Sequence, residues 1–377
     1  MPRPKPSGAT MSLIIGGLGL TSLGLQPQMF DAAIASGLDP QDAGLLSSLE
    51  IGAMALASIL LLCGALGRIG RSVLLPGAAL MAAGNGLAGM AASLLSAAIG
   101  RGMAGLGEGL LASAGVAVVI ASTAPVRDSA RFIACSAVPQ LLCCAILSVI
   151  SGPHLWTSTP LLLLVGVALA ALGPVLLLEA PRALASSRSR WPTPLSLAAL
   201  LLMVVLNAIG SACWTYLGAL GQAISLSPSH IARCLTASLC AQIAASLLLG
   251  WREPGQRLIP LLMLVLAAQA GAVLSLSLTS SCFTYLAASA AFGFSWQAAL
   301  PLATGLFRQS DPDGSASFLA LPATLLGIAM GPGAAGLMAG PAPIGTFFLS
   351  TMLLAMVGAG LALLGLIAKA REARAYS

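Results

Sequence analysis

The sequence predicts an all-α integral membrane protein of twelve transmembrane helices, arranged as two pseudo-symmetric six-helix bundles. Composition, the number of long apolar segments and the placement of basic residues carry that prediction. Of 377 residues, 58% are apolar and only 7% charged, with a mean hydropathy of +0.97. A soluble domain carries about 25% charged residues because its surface faces water. A chain this poor in charge faces lipid over most of its area.

A bilayer span takes about 20 predominantly apolar residues. Such segments lie near 11–30, 44–65, 73–95, 97–122, 131–152 and 159–178, and again near 194–217, 230–249, 258–278, 282–306, 316–338 and 344–368. The first follows Arg3 and Lys5 as a signal peptide would, but it lacks a convincing cleavage site and eleven spans follow it, so it reads as a mature helix. The stretch 179–193, EAPRALASSRSRWPT, is the longest basic and least apolar segment. It divides the chain into an N-terminal bundle (1–178), a cytoplasmic linker (179–193) and a C-terminal bundle (194–377).

Charge tests the count independently, because Lys and Arg gather in cytoplasmic loops. With the N-terminus inside, cytoplasmic segments hold Arg3, Lys5, Arg68, Arg71, Arg127, Arg131, Arg182, Arg188, Arg190, Arg252, Arg257, Arg308, Lys369, Arg371 and Arg374, or 15 of 17 basic residues. The opposite loops hold none, and Arg101 and Arg233 fall in or beside helices. Both termini are therefore predicted cytoplasmic. The Ala/Gly/Arg-rich composition suggests a bacterial inner membrane. The net charge of +6 follows from this topology and from anionic lipid headgroups. No basic patch interleaved with aromatics points to nucleic acid. The eight cysteines sit in or at the ends of spans, form no Cys-x-x-Cys pair and read as small packing residues, so neither metal nor cofactor is expected.

Sliding the sequence by 186 residues aligns Gly24 with Gly210, Gly64 with Gly250, Arg71 with Arg257 and Gly107 with Gly293, and sets Ser129–Phe132 over Ser315–Phe318. One offset that also preserves the helix count indicates duplicated halves, a common plan among transporters.

In the fourth span, Arg101-Gly-Met-Ala-Gly105-Leu-Gly107-Glu-Gly109 fits Arg-x-x-x-Gly-x-Gly-x-Gly at every defined position. The loop after span two, GALGRIGRSVLL (64–75), is similar to Gly-x-Leu-x-Asp-Arg-x-Gly-Arg, one residue short and without the Asp. Both patterns resemble those of the major facilitator superfamily, a likeness that covers nearly the whole chain. The resemblance implies that Gly64, Arg68, Gly70 and Arg71 form a gating loop. It also implies that spans one, four, seven and ten line a cavity, while three, six, nine and twelve face lipid. Gly331-Pro332-Gly333 in span eleven looks like the family's antiporter pattern, which normally lies in span five; here it reads as a packing echo.

Polar residues follow the implied lining. Span one carries Gln26 and Gln28, four Arg101 and Glu108, seven Asn207, Trp214 and Tyr216, and ten Trp296 and Gln297, whereas three and nine hold one amide each, Asn85 and Gln269. Polar groups in hydrocarbon cost several kcal/mol unless they face protein or water. Glu108 lies near mid-span, where it suits loading and releasing a proton. Arg101, seven residues earlier, shares its helix face. Glu50 and Asp31 lie at about the level of Arg101 and are its candidate partners. The alternative is a structural ion pair that ties helices together. Gln26, Asn207, Trp214, Tyr216, Trp296 and Gln297 are the candidate substrate-cavity residues, an aromatic and amide lining suited to a flat or apolar ligand. Trp214 and Tyr216 read equally as an interfacial belt. Gly105, Gly107 and Gly109 permit close helix approach, and Gly331 and Pro332 belong to the same packing class.

The predicted function is a secondary transporter working by alternating access, as a monomer with proton coupling, on a small amphipathic organic compound, with export favoured. A proton-independent facilitator, an uptake permease and a transporter-like sensor remain alternatives. Two histidines, His154 and His230, far apart in sequence, and the lack of any nucleotide-binding or nucleophile motif argue against an enzyme.

Overall fold

The computed structural model describes residues 8–62, 69–149, 158–178, 192–251, 254–311 and 317–339, and they are helical with no strand among them. The predicted first span is three pieces, α1 (Gly8–Gly19), α2 (Thr21–Gly24) and α3 (Gln26–Ala35). Spans two to six are α4 (Pro40–Leu62), α5 (Arg71–Gly89), α6 (Leu94–Ile120), α7 (Pro125–Val149) and α8 (Thr159–Leu177). Span seven is α9 (Pro194–Thr215) continued by α10 (Leu217–Ala223). Spans eight to eleven are α11 (Pro228–Trp251), α12 (Leu258–Ser277), α13 (Cys282–Ser310) and α14 (Ala320–Ala339). Ten of these helices are long and apolar enough to cross a membrane. The predicted twelfth span lies outside the described residues, as do Gly64 and Arg68 of the predicted gating loop and all but the last two residues of the predicted linker.

The first span breaks for a reason written in its residues. Pro27 has no amide hydrogen, so the carbonyl of Leu23, four residues back, loses its helical donor. The chain steps past it on tighter turns, with Leu23 N donating to Leu20 O at 3.2 Å and Leu25 N to Ser22 O at 3.0 Å.

Helix α6 is the hub of the first six spans, packing against α4, α5 and α1, while α13 packs against α11, α12 and α9. The most apolar windows of α6 and α13 are 78% and 67% buried, against 33% for α5 and α12 and 28% for α8. The inner helices are thus spans four and ten, and spans three, six and nine present their leucines to lipid, as Leu162, Leu169 and Leu176 do on α8. The two sets of helices meet where α4 packs on α14 and α7 on α11. Under the 186-residue correspondence these crossings are images of one another, since span two maps to eight and span eleven to five.

The glycine pattern of span four is explained by what each glycine touches. A Cβ on Gly105 or Gly109, one turn apart on one face, would strike the α4 carbonyls of Glu50 and Met54. A Cβ on Gly107, between them on another face, would strike the α5 backbone at Gly77 and Met81. Neighbouring helices therefore touch α6 backbone to backbone, the approach that small residues allow in membranes. Gly100 and Gly84 extend the same contact between α6 and α5. The offset-matched Gly293 meets Ser238 of α11 instead, so equivalent sequence positions receive different neighbours.

Candidate functional site

Two features stand out, a cleft between the two sets of helices and a buried charge cluster beside it. The cleft encloses about 1050 Å³ of empty space, part of it open to the outside. It runs from the end of the molecule carrying Ile120, Pro125, Arg308 and Ala320, which is the predicted cytoplasmic end, inward to Trp214.

At the other end the helices close on each other. Trp214 Nε1 donates to Leu23 O at 3.0 Å, the carbonyl that Pro27 leaves without a helical donor. Tyr216 Oη donates to Pro40 O at 3.1 Å and lies 3.3 Å from Pro332 O, with its ring 4.4 Å from that of Phe30. Gly333 N donates to Ser48 Oγ at 2.8 Å. A Cβ on Gly44 would sit 2.7 Å from both Tyr216 Oη and Pro332 O, so the glycine is what lets α4 come this near. Trp214 and Tyr216 are 2% and 0% exposed and therefore face the neighbouring helices, away from any interfacial belt. Pro332 likewise frees the carbonyl of Ile328, and Ser211 Oγ takes it at 2.8 Å. Gly331 supports that contact, since a Cβ there would meet Ser211 and the Ala208 carbonyl.

The lining of the cleft is aromatic and amide-bearing. Trp214 and Trp296 lie 6.4 Å apart, and Phe292 stacks on Trp296 at 5.9 Å. Gln140, Gln242 and Gln297 add amides, and no carboxylate lines the cleft among the described residues, where Arg308 is the one charged side chain. Of the predicted cavity residues, Trp214, Trp296 and Gln297 line it. Gln26 turns instead to Glu50, Asn207 donates to Met203 O at 2.8 Å where α9 crosses α14, and Tyr216 belongs to the closed end. The sequence reading passed over Gln140 and Gln242, on spans five and eight. Their signal was an uncharged amide inside an apolar span, the same signal that singled out Gln26 and Gln297.

The charge cluster sits among α2, α3, α4, α5 and α6. Arg101 of α6 forms an ion pair with Glu50 of α4 and also donates to Met29 Sδ at 2.9 Å. Glu50 Oε2 accepts from Gln26 Nε2 at 2.8 Å, and Glu108 Oε2 accepts from Ser22 Oγ at 2.7 Å. Glu50 and Glu108 are wholly buried, act electrostatically on each other and on Arg101, and each leaves its Oε1 without a hydrogen-bond partner. Asn85 of α5 is also buried and interacts with Glu108, so the amide of span three points inward to the cluster. Asp31 is elsewhere: a Cβ on Gly218 would land on its carboxylate, which places it against α10. Of the predicted gating loop, Gly70 caps α5 in extended backbone and Arg71 Nε donates to Leu178 O at 2.8 Å, tying the start of α5 to the end of α8.

No protein-family model matches the sequence, and none of the curated proteins matches it. Solved structures share its fold. The human organic anion transporter MFSD10 (TETRAN) superposes with a TM-score of 0.67 at 14% identity, over 95% of this chain and 100% of that one. The xylose transporter XylE from E. coli, in a partially occluded inward open conformation, gives 0.73 at 13% identity, over 95% of this chain and 96% of that one. With its helix order, its central α6 and α13 and its one-sided cleft, this chain has the fold of the major facilitator superfamily.

Proposed function

We propose that this chain is a secondary transporter that moves a small organic compound by alternating access, with residues 1–178 and 194–377 as the two rocking bodies and 179–193 as the linker between them. One observation carries the reading: a cleft open at one end only and sealed at the other by Trp214, Tyr216 and Gly333. Alternating access requires a site between two bodies that is reached from one side at a time. The named functions of the two solved neighbours, an organic anion transporter and a sugar transporter, support transport of small solutes.

The substrate site is the region of Trp214, Trp296, Gln297, Gln140 and Gln242. Aromatic faces beside amides suit a flat, amphipathic molecule held by stacking and a few hydrogen bonds. A cleft with no carboxylate among its described lining residues favours neutral or anionic compounds over cations.

Proton coupling rests on the cluster. Two buried carboxyls face one guanidinium, and an unbalanced charge at this depth is expensive. The site is neutral overall when one carboxyl holds a proton. Arg101 pairs directly with Glu50, so Glu108, which has neutral partners in Ser22 and Asn85 and no direct ion pair, is the proton carrier. Export from a bacterial inner membrane with both termini cytoplasmic is the favoured direction.

The test is metabolite and drug accumulation, by mass spectrometry, in energised cells lacking their main efflux pumps and expressing wild type or Glu108→Gln at matched levels. Wild type shifts the level of some compound, and the sign gives the direction. Glu108→Gln abolishes the shift; equal activity of the two proteins refutes coupling through Glu108 and favours a facilitator.

A further inference from the structure

A second cavity lies wholly among the first six spans and belongs to neither the cleft nor the closed end. It holds about 960 Å³ of empty space, part of it open, and reaches from residues 36–38 and 91–93 at the predicted outer end down to Arg101. Alanines form much of its wall, and Ser36, Ser47 and Ser93 supply hydroxyls along it. A cavity holds water when it offers room and polar partners, and one water takes about 30 Å³ of liquid volume. This one offers both. Its floor is the cluster itself: Arg101 and Met29 line it, and Ser47 lies one helical turn before Glu50 on α4. None of Glu50, Arg101 or Glu108 lines the substrate cleft.

We infer that this vestibule is the proton path, carrying protons from the predicted outer end through the first six helices to the Arg101–Glu50–Glu108 cluster, while substrate uses the cleft from the opposite end. The inference rests on the coupling role proposed for Glu108. Arg101, Glu50 and Glu108 are the charged groups that act on one another there, and Ser22 and Gln26 from the first span and Asn85 from α5 contribute neutral polar atoms. From α8 only Pro160 and Leu161 reach the vestibule. The unpartnered Oε1 atoms of Glu50 and Glu108 are the positions a transferred proton would occupy. In this conformation the cluster and the substrate site are then served from opposite faces of the membrane, so loading a proton needs no opening of the sealed end.

Infrared difference spectroscopy on the purified full chain tests this without a known substrate. A pH step reveals the carboxyl stretch of Glu108, assigned by its loss in Glu108→Gln, and deuterium exchange of that band times solvent access. Ala97→Phe, which fills the vestibule, slows the exchange by about tenfold, equivalent to about 1.4 kcal/mol on the barrier. Ala33→Leu does the same from α3 and serves if Ala97→Phe does not fold. Ser136→Phe, which obstructs the cleft, leaves the rate unchanged. Slowing by Ser136→Phe alone, or by none of the three, overturns the vestibule and leaves the coupling role intact. A spectrum with no pH-sensitive band that depends on Glu108 overturns both.

Discussion

Replacing Trp214 by phenylalanine keeps an aromatic face toward Trp296 and removes the indole donor to Leu23 O. That carbonyl has no helical donor because Pro27 occupies the position four residues on, so the substitution leaves a buried acceptor unpaired. Such a loss costs about 1–3 kcal/mol. The bond spans the closed end and exists only while that end is shut, so the cost falls on this conformation and not on one in which the end has opened to water. The ratio of closed to open molecules then drops by roughly 5- to 150-fold. Electron–electron double resonance between spin labels at Asp39→Cys and Ser229→Cys, exposed positions flanking the seal, reads the ratio directly in a background stripped of reactive native cysteines. A smaller ring also loses packing, and a double-mutant cycle with Pro27→Ala separates the two effects. Alanine restores an amide hydrogen to Leu23 O, so Trp214→Phe shifts the ratio markedly less in that background. An equal shift in both backgrounds refutes the idea that the tryptophan satisfies the carbonyl which the proline leaves open.

Three further outcomes follow from the packing. Glu50→Gln breaks the buried ion pair with Arg101, leaving Glu108 as the remaining carboxyl to balance it, and destabilises by at most about 3–5 kcal/mol, whereas the double change Glu50→Leu with Arg101→Met recovers much of the loss; thermal unfolding in detergent compares them. Gly105→Ala drives a methyl into the Glu50 carbonyl and lowers the unfolding midpoint and yield sharply, while Gly102→Ala on the same helix, with open space around it, leaves both near wild type. Ser211→Ala strips the donor from Ile328 O at the Pro332 break and lowers stability by about 1–3 kcal/mol in the same assay, less if water reaches the carbonyl.

The architecture was legible because lipid imposes a strong constraint: every spanning backbone must satisfy itself, so length and hydropathy alone mark the helices. The Arg101 motif was legible too, since four residues separate Arg101 from Gly105 and place both on the face that meets α4. Which carboxylate would meet Arg101 was not. Glu50 and Asp31 lie at similar depth, and only the rotation of α3 about its axis, set after the break at Pro27, turns Asp31 toward Gly218 and Gln26 toward Glu50. The resemblance places span three against lipid, yet a peripheral helix still has one inward stripe, and the buried Asn85 is on it. Gln140 and Gln242 escaped for a related reason: in this state the cleft is lined by helices from both sets, including spans five, eight and eleven, and no single span carries enough polar residues to show it.

The two prolines explain how contacts beside the closed end are made specific, Pro27 across the seam and Pro332 between α9 and α14 within the second set of helices. Apolar contact between helices in lipid is weakly directional, because lipid tails are as apolar as the side chains they replace. Backbone carbonyls released by Pro27 and Pro332 are directional, and each is met by one particular donor, Trp214 or Ser211. The break that makes helix one bendable thus also creates the acceptor that locks it to α9. A transporter has to leave this conformation as well as hold it, and the lock depends on a few hydrogen bonds across the seam, at Leu23, at Pro40 and at Ser48. Bonds of this size hold a population without freezing it: opening exchanges each for a bond to water at a net cost near about 1 kcal/mol, whereas deleting the donor alone strands the buried carbonyl and costs more.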